Sequence, residues 1–471
     1  MSIFSRRKSI EGVGDHPGGE RLKPSLSWPH LVALGVGAIV GTGIYTLTGI
    51  GAGLAGPAMM LSFAIAGAVS ACAALAYAEM ATLMPAAGSA YTYSYVAMGE
   101  PFAWFVGWSL ILEYTVVCAA VAVGWSAYAA GLIQVWHLPI PAALLAGPEA
   151  GGVLNLPAVT ICFGVAALLA AGTRESATVN AVLVAIKIAA LAVFVALTLP
   201  VFDVAHFSPF MPHGWASVSP EGVKLGVLPA ASVIFFAFYG FDTISTAAEE
   251  TKNPRRDLAI GIVGSMLLCT LIYMAVGAAA IGALAIPAFA KSAEPLALIL
   301  RTLGHPLWAN LIAGAAVLAL PTVIMAFLYG QSRIFFVMAR DRLLPAALAK
   351  VNARTGTPIV VTVFTGLIAA AISGLAPLAQ IAALANAGTL CAFVAVALSM
   401  MLLRLRKHTP KRVFATPLWW LVGPAAIVGC VYLFWNLPVL TQRLFVIWNG
   451  VGIVAYLLYG MRKSRLRQVS P

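Results

Sequence analysis

Charged side chains are scarce in this chain: Asp, Glu, Lys and Arg make up 9% of its 471 residues, against 61% hydrophobic. Ordinary soluble domains carry about 25% charge, so a water-soluble enzyme or binding module is excluded. Cysteine is sparse too. The six (Cys72, Cys118, Cys162, Cys269, Cys391 and Cys430) fall in apolar stretches, and none forms a Cys-x-x-Cys pair. That argues against a disulfide framework, a redox pair or a zinc site and leaves them as small packing residues. The seven histidines are scattered, mostly in loops and at segment ends, without metal-ligand spacing. Neither a metal nor a cofactor is expected. No apolar stretch buries a histidine with a serine partner, and only one deep aspartate, Asp242, is present. An enzyme working inside the membrane is therefore not expected.

What is abundant is apolar length. Twelve stretches, 31–50, 57–83, 102–133, 153–172, 179–199, 225–248, 258–283, 307–330, 359–378, 381–403, 418–437 and 444–461, each approach membrane length, where one crossing takes ~20 residues. The predicted fold class is an all-α membrane protein with twelve transmembrane helices. Residues 1–24 are polar and charged; they read as a mobile tail and not as a cleavable signal peptide. Basic residues outnumber acidic ones 28 to 16, a formal charge of +12. With the N-terminus inside and the stretches alternating, 23 Lys/Arg fall on the inner side. Four fall outside (Lys224, Lys291, Arg301, Arg443) and one, Lys187, inside the membrane. Such a bias places both termini in the cytoplasm. The excess orients the protein and adds attraction to anionic lipid; nucleic acid is not an expected partner.

The first stretch contains Gly37-Ala38-Ile39-Val40-Gly41-Thr42-Gly43-Ile44. Each glycine costs a helix about 1 kcal/mol relative to alanine. Unpaired backbone groups in hydrocarbon cost several kcal/mol unless they face protein, ligand or water. Gly41-Thr42-Gly43 is thus predicted to break the helix and line a site; a small-residue packing face is the alternative. The sixth stretch carries Phe236-Ala237-Phe238-Tyr239-Gly240-Phe241-Asp242, a second predicted break with an aspartate far from either surface. Stretches one and six are five crossings apart, so one enters from each side. Paired interruptions in inverted halves are the sequence pointer to a transporter's binding site. The expected organisation is a tail (1–24), a transport core (25–409) built of inverted repeats near 25–200 and 222–409, and two further helices with a C-terminal tail (410–471).

Glu113 in the third stretch and Lys187 in the fifth have opposite charge and similar predicted depth. Charges at that depth are functional candidates by default, so the two are expected to pair, either for function or as a structural ion pair. Glu79, at an inner helix end, is read as solvated or as a gating residue. The apolar inner loop Pro85 to Tyr93 is expected to form a re-entrant or interfacial helix.

These motifs, together with Tyr77-Ala78-Glu79, Pro85 through Tyr95, Gly107-Trp108, Leu112-Glu113-Tyr114 and Glu249 through Arg256, resemble the amino acid–polyamine–organocation superfamily. They look most like the bacterial branch of its cationic amino acid transporter family. The resemblance implies a twelve-helix inner-membrane transporter with a five-plus-five inverted repeat and discontinuous helices 1 and 6, proton-coupled and sodium-independent. It implies that Gly41, Thr42 and Gly43 offer amides to a carboxylate. Carbonyls of Ile39, Phe236, Ala237 and Tyr239 would face an α-ammonium group, with Asp242 beside it. Lys187 would stand where sodium-coupled relatives bind sodium, with Glu113 as its proton relay or counter-charge. Met325 is expected at the pocket floor. The absence of acidic groups there predicts import of small or medium neutral L-amino acids, alanine-like, in place of arginine or lysine. A non-transporting amino-acid sensor is the rival of another class. A small accessory membrane subunit is left open.

Overall fold

The computed structural model describes residues 6–10, 26–86, 88–172, 177–248, 251–350, 352, 358–406 and 411–464. They are almost entirely helical. In chain order the helices are α1 (Trp28–Ile39), α2 (Thr42–Tyr45), α3 (Leu47–Ala55), α4 (Met59–Leu83), α5 (Ser89–Ala97), α6 (Glu100–Val135), α7 (Leu156–Ala170) and α8 (Ala177–Thr198). Then come α9 (Val227–Ile234), α10 (Asp242–Thr246), α11 (Pro254–Ala283), α12 (Ile286–Phe289), α13 (Pro295–Thr302), α14 (Pro306–Ala319) and α15 (Pro321–Arg340). The last are α16 (Ile359–Leu375), α17 (Leu378–Leu405), α18 (Trp419–Asn436), α19 (Val439–Ala455) and the closing turn α20 (Met461–Lys463). A two-residue hairpin, Ser217–Val218 against Lys224–Leu225, stands before α9.

Among the described residues, nine helices are long and apolar enough to cross a membrane, with shorter apolar helices at Trp28–Ile39, Leu156–Ala170 and Ile359–Leu375. Proline opens many of them, in the first turn of α6, α7, α11, α13, α14 and α15, where its missing N–H has no partner to lose. Pro321 acts this way, separating α14 from α15. The outer helices α8, α16, α18 and α19 expose Val, Leu and Ile along their length, as a lipid-facing surface requires. The chain is a multi-pass membrane protein.

Segments one and six are both interrupted, and their breaks meet. Helix α1 stops at Ile39; Val40 and Gly41 are extended, and the chain re-enters helix at Thr42. Helix α9 gives way to a 3-10 turn over Phe235–Ala237, and α10 resumes at Asp242. Between them Gly240 has φ +118°, and a Cβ there would lie 2.9 Å from the carbonyl carbon of Ala38. A Cβ on Gly43 would run into Ala237. Each break thus presses a glycine against the other, and the pair occupies the core: Thr42, Phe236, Tyr239 and Asp242 are all buried.

The end of the bundle at which α1 begins is called here the inner end. The helix expected in the loop Pro85 to Tyr93 is present as α5, but every one of its residues is buried in the bundle, so it is packed inside and not interfacial. Glu79 is not solvated. It takes Arg404 in a two-pronged bond (2.7 and 2.6 Å), Arg412 (2.9 Å) and the amide of Thr416 (2.8 Å). The expectation of a wholly mobile tail fails at residues 6–10. Arg6 reaches Glu100 (3.3 Å) and Lys8 reaches Asp341 (2.6 Å), because those two carboxylates are buried and buried charge requires partners. The rest of that expectation lies outside the described residues.

Candidate functional site

The geometry of the two breaks follows from helix ends. An α-helix leaves its first N–H groups and last carbonyls without intrahelical partners. At the restart in segment one, the amides of Thr42 and Gly43 belong to that first set. At the stops, the carbonyls of Ile39, Phe236 and Ala237 belong to the second, and Tyr239 lies in the irregular backbone just past the 3-10 turn. Ile39 O accepts the hydroxyl of Tyr273 at 2.7 Å, which anchors the stop of α1 to α11. Thr42 Oγ1 donates to Val121 O (3.4 Å), which ties the restart to α6.

A narrow cavity lies at this junction, lined by Ala38, Ile39, Gly41, Thr42, Gly43, Val117, Val121, Phe236, Tyr239, Val323 and Phe327. Six of the nine residues expected around a substrate therefore meet at one place. Ala237 faces Gly43 in the packing between the breaks. Asp242 lies behind the wall: its Oδ1 accepts Gly240 N (3.1 Å) and its Oδ2 accepts the Tyr114 hydroxyl (2.9 Å).

Met325 is corrected by the structure. It is half-buried and off the cavity, whose wall on α15 is Val323 and Phe327. At about 100° per residue, those two share a face and the residue midway between them points away. Val117 and Val121 were also missed. They continue the four-residue stripe that begins at Glu113, so helical phase was the available signal. No lining side chain is charged.

Glu113 and Lys187 do not pair as expected. Lys187 is fully buried and donates to Gly37 O (2.8 Å) on α1 and Thr322 Oγ1 (3.3 Å) on α15. Glu113 Oε1 accepts the hydroxyl of Thr389 on α17 (2.7 Å), and its Oε2 has no hydrogen-bond partner. The reason is rotational: two charges at one depth meet only if their helices turn them to each other, and α6 presents Glu113 to α17, where Gly388 makes room for its Cβ. Its neighbour Tyr114 instead connects α6 to Asp242. Tyr114 was missed as well; no sequence signal separates it from a packing tyrosine.

The arrangement provides backbone donors and acceptors of opposite polarity beside mainly apolar walls, among buried residues. It contains no grouping of a nucleophile with a base. Among the described residues no group of three His, Cys, Asp or Glu side chains is placed to hold a metal.

Comparison with known proteins identifies the family of the chain. The family profile described as "Amino acid permease" matches residues 26–461. The chain is 40% identical over 472 residues to the branched-chain amino acid permease BcaP of Bacillus subtilis, covering 99% of each. It is 38% identical to the methylthioribose transporter of the same organism, over 99% of this chain and 100% of that one. It is also 39% identical to the vacuolar cationic amino acid transporter 2 of Arabidopsis thaliana, over 85% of this chain and 62% of that one.

Proposed function

Because the chain belongs to the amino acid permease family, we propose that it imports neutral L-amino acids, alanine-like and extending to the branched aliphatic ones, by proton-coupled alternating access. It is a transporter and not an enzyme. The observation that carries the substrate reading is the cavity at the two breaks. Backbone at the helix ends gives it polar groups, Thr42 and Tyr239 add side-chain hydroxyls, and the apolar walls include Val117, Val121, Val323, Phe236 and Phe327. A carboxylate suits the amides of Thr42 and Gly43; an α-ammonium suits the carbonyls of Ile39, Phe236 and Tyr239. The side chain then meets mainly apolar atoms, with the Tyr239 and Thr42 side chains as the polar exceptions, which favours aliphatic groups.

The architecture behind this reading is twelve spans, with 25–200 and 222–409 as inverted repeats and 410–471 outside them. The plasma membrane and cytoplasmic termini are supported by 23 inner against four outer basic residues. Proton coupling is assigned to Lys187, whose ammonium bridges α1 and α15. Loss of its proton removes a charge-assisted donor and loosens that tie. Glu113, held by Thr389 on α17, is assigned to the same coupling step as a proton relay apart from Lys187.

A second reading, transport of arginine or lysine, is favoured by the relatives named cationic amino acid transporters. It requires a counter-charge at the cavity, and none lines it. Competition against labelled alanine uptake in proteoliposomes decides between them. Valine is expected to compete and arginine to leave uptake unchanged. Arginine competing as well as alanine would replace the neutral reading with the cationic one.

A further inference from the structure

Residues 6–10 reach partners far along the chain. The carboxylate of Glu100, wholly buried at the start of α6, receives the guanidinium of Arg6 (3.3 Å), the hydroxyls of Tyr95 (3.0 Å) and Tyr456 (2.9 Å), and that of Ser464. Its own amide donates back to Arg6 O (3.0 Å). Two residues on, Lys8 Nζ donates to Asp341 Oδ2 (2.6 Å), the same oxygen that accepts the Tyr91 hydroxyl (2.7 Å). The ammonium also lies over the rings of Tyr95 (4.9 Å) and Tyr91 (5.9 Å). Ile10 packs against the core.

Tyr91 and Tyr95 both belong to α5. The contacts of this helix continue toward the cavity. Ser89, its first residue, lies with its Oγ 2.8 Å from Ser245 Oγ on α10. Ser245 in turn donates to the carbonyl of Asp242. A short chain of polar contacts therefore runs from Lys8 through α5 to the inner half of segment six, next to the break.

We propose that residues 6–10 form a strap that holds α5 as the inner gate of the transport path. Alternating access gates one part of the bundle against another around the site, and α5 packs directly on α10, beside the break. The Lys8–Asp341 pair sits on the far side of α5 from Ser245, so it sets how readily α5 gives way. The transport consequence rests on the function proposed above; the strap itself does not.

The test is hydrogen exchange by mass spectrometry on the full-length protein in lipid, comparing wild type, Lys8→Glu, and the charge swap Lys8→Glu/Asp341→Lys. In Lys8→Glu, amide exchange over residues 89–97 and 242–246 is expected to rise about tenfold, the equivalent of ~1.4 kcal/mol, with α14 and α16 unchanged. The swap is expected to return it toward wild type. Should Lys8→Glu fail to fold, Lys8→Gln removes the ion pair while leaving the Tyr91 hydroxyl on Asp341, and is read in the same way. Unchanged exchange in α5, or no recovery in the swap, overturns the proposal. Alanine efflux from preloaded vesicles, measured alongside, is expected to quicken in Lys8→Glu. If α5 loosens as expected while the wild type moves no amino acid, the transport reading fails and the strap stands.

Discussion

Gly240 is the residue on which the junction of the two breaks turns. Its φ of +118° belongs to the region that only glycine enters easily, and Ala38 and Ile39 backbone atoms lie against it. Replacing it with alanine adds about 1–3 kcal/mol of backbone strain and forces α1 away from segment six. Gly240→Ala is expected to leave the helical bundle folded, as judged by circular dichroism, and to weaken alanine binding by roughly tenfold or more. Binding at wild-type strength would show that the contact between the breaks does not shape the site. At this scale the sequence was informative where a residue is costly in a membrane: two glycines around a threonine, an aspartate, a glutamate and a lysine. It was uninformative where a residue is ordinary. Val117, Val323 and Tyr114 look like any other apolar or aromatic side chain until the phase of their helix is known.

Among elements, the interruptions of segments one and six were legible because hydrocarbon penalises open backbone and glycine marks where it is tolerated. Helix–helix rotation was not legible, and both corrections at the site follow from it. Met325 points off the cavity, and Glu113 turns to α17 instead of Lys187. The docking of residues 6–10 was equally hidden, since a basic stretch reads as tail until its buried carboxylate partners are placed. Lys187 now stands as a bolt between elements, α8 to α1 and α15. Lys187→Ala is therefore expected to abolish accumulation of alanine driven by a pH gradient, measured in proteoliposomes. Unchanged pH-driven uptake in that variant would remove Lys187 from the coupling step.

Across the whole molecule, the last helices are joined to the segment that carries Glu113. Trp108 Nε1 donates to Trp448 O and Trp448 Nε1 to Trp108 O, each at 2.9 Å, with the two rings stacked at 4.9 Å. At the next residue of each helix, Ser109 Oγ donates to Asn449 Oδ1 (3.0 Å). Helix α19 thereby fixes α6, as the Glu79 clasp with Arg404 and Arg412 fixes α4 against the stretch before α18. Against this bracing, the paired breaks are the part of the structure that offers backbone poles to a ligand. Thermal unfolding of the purified protein with L-alanine, propionate and ethylamine, each in turn, tests that claim most directly. Occupied by a ligand at ~100 times its Kd, a site stabilises the fold by about 2.7 kcal/mol. L-alanine, which presents both charges at once, is predicted to raise the melting temperature, and the two half-molecules are predicted not to. Equal stabilisation by propionate or ethylamine alone, or none by L-alanine, would contradict the account.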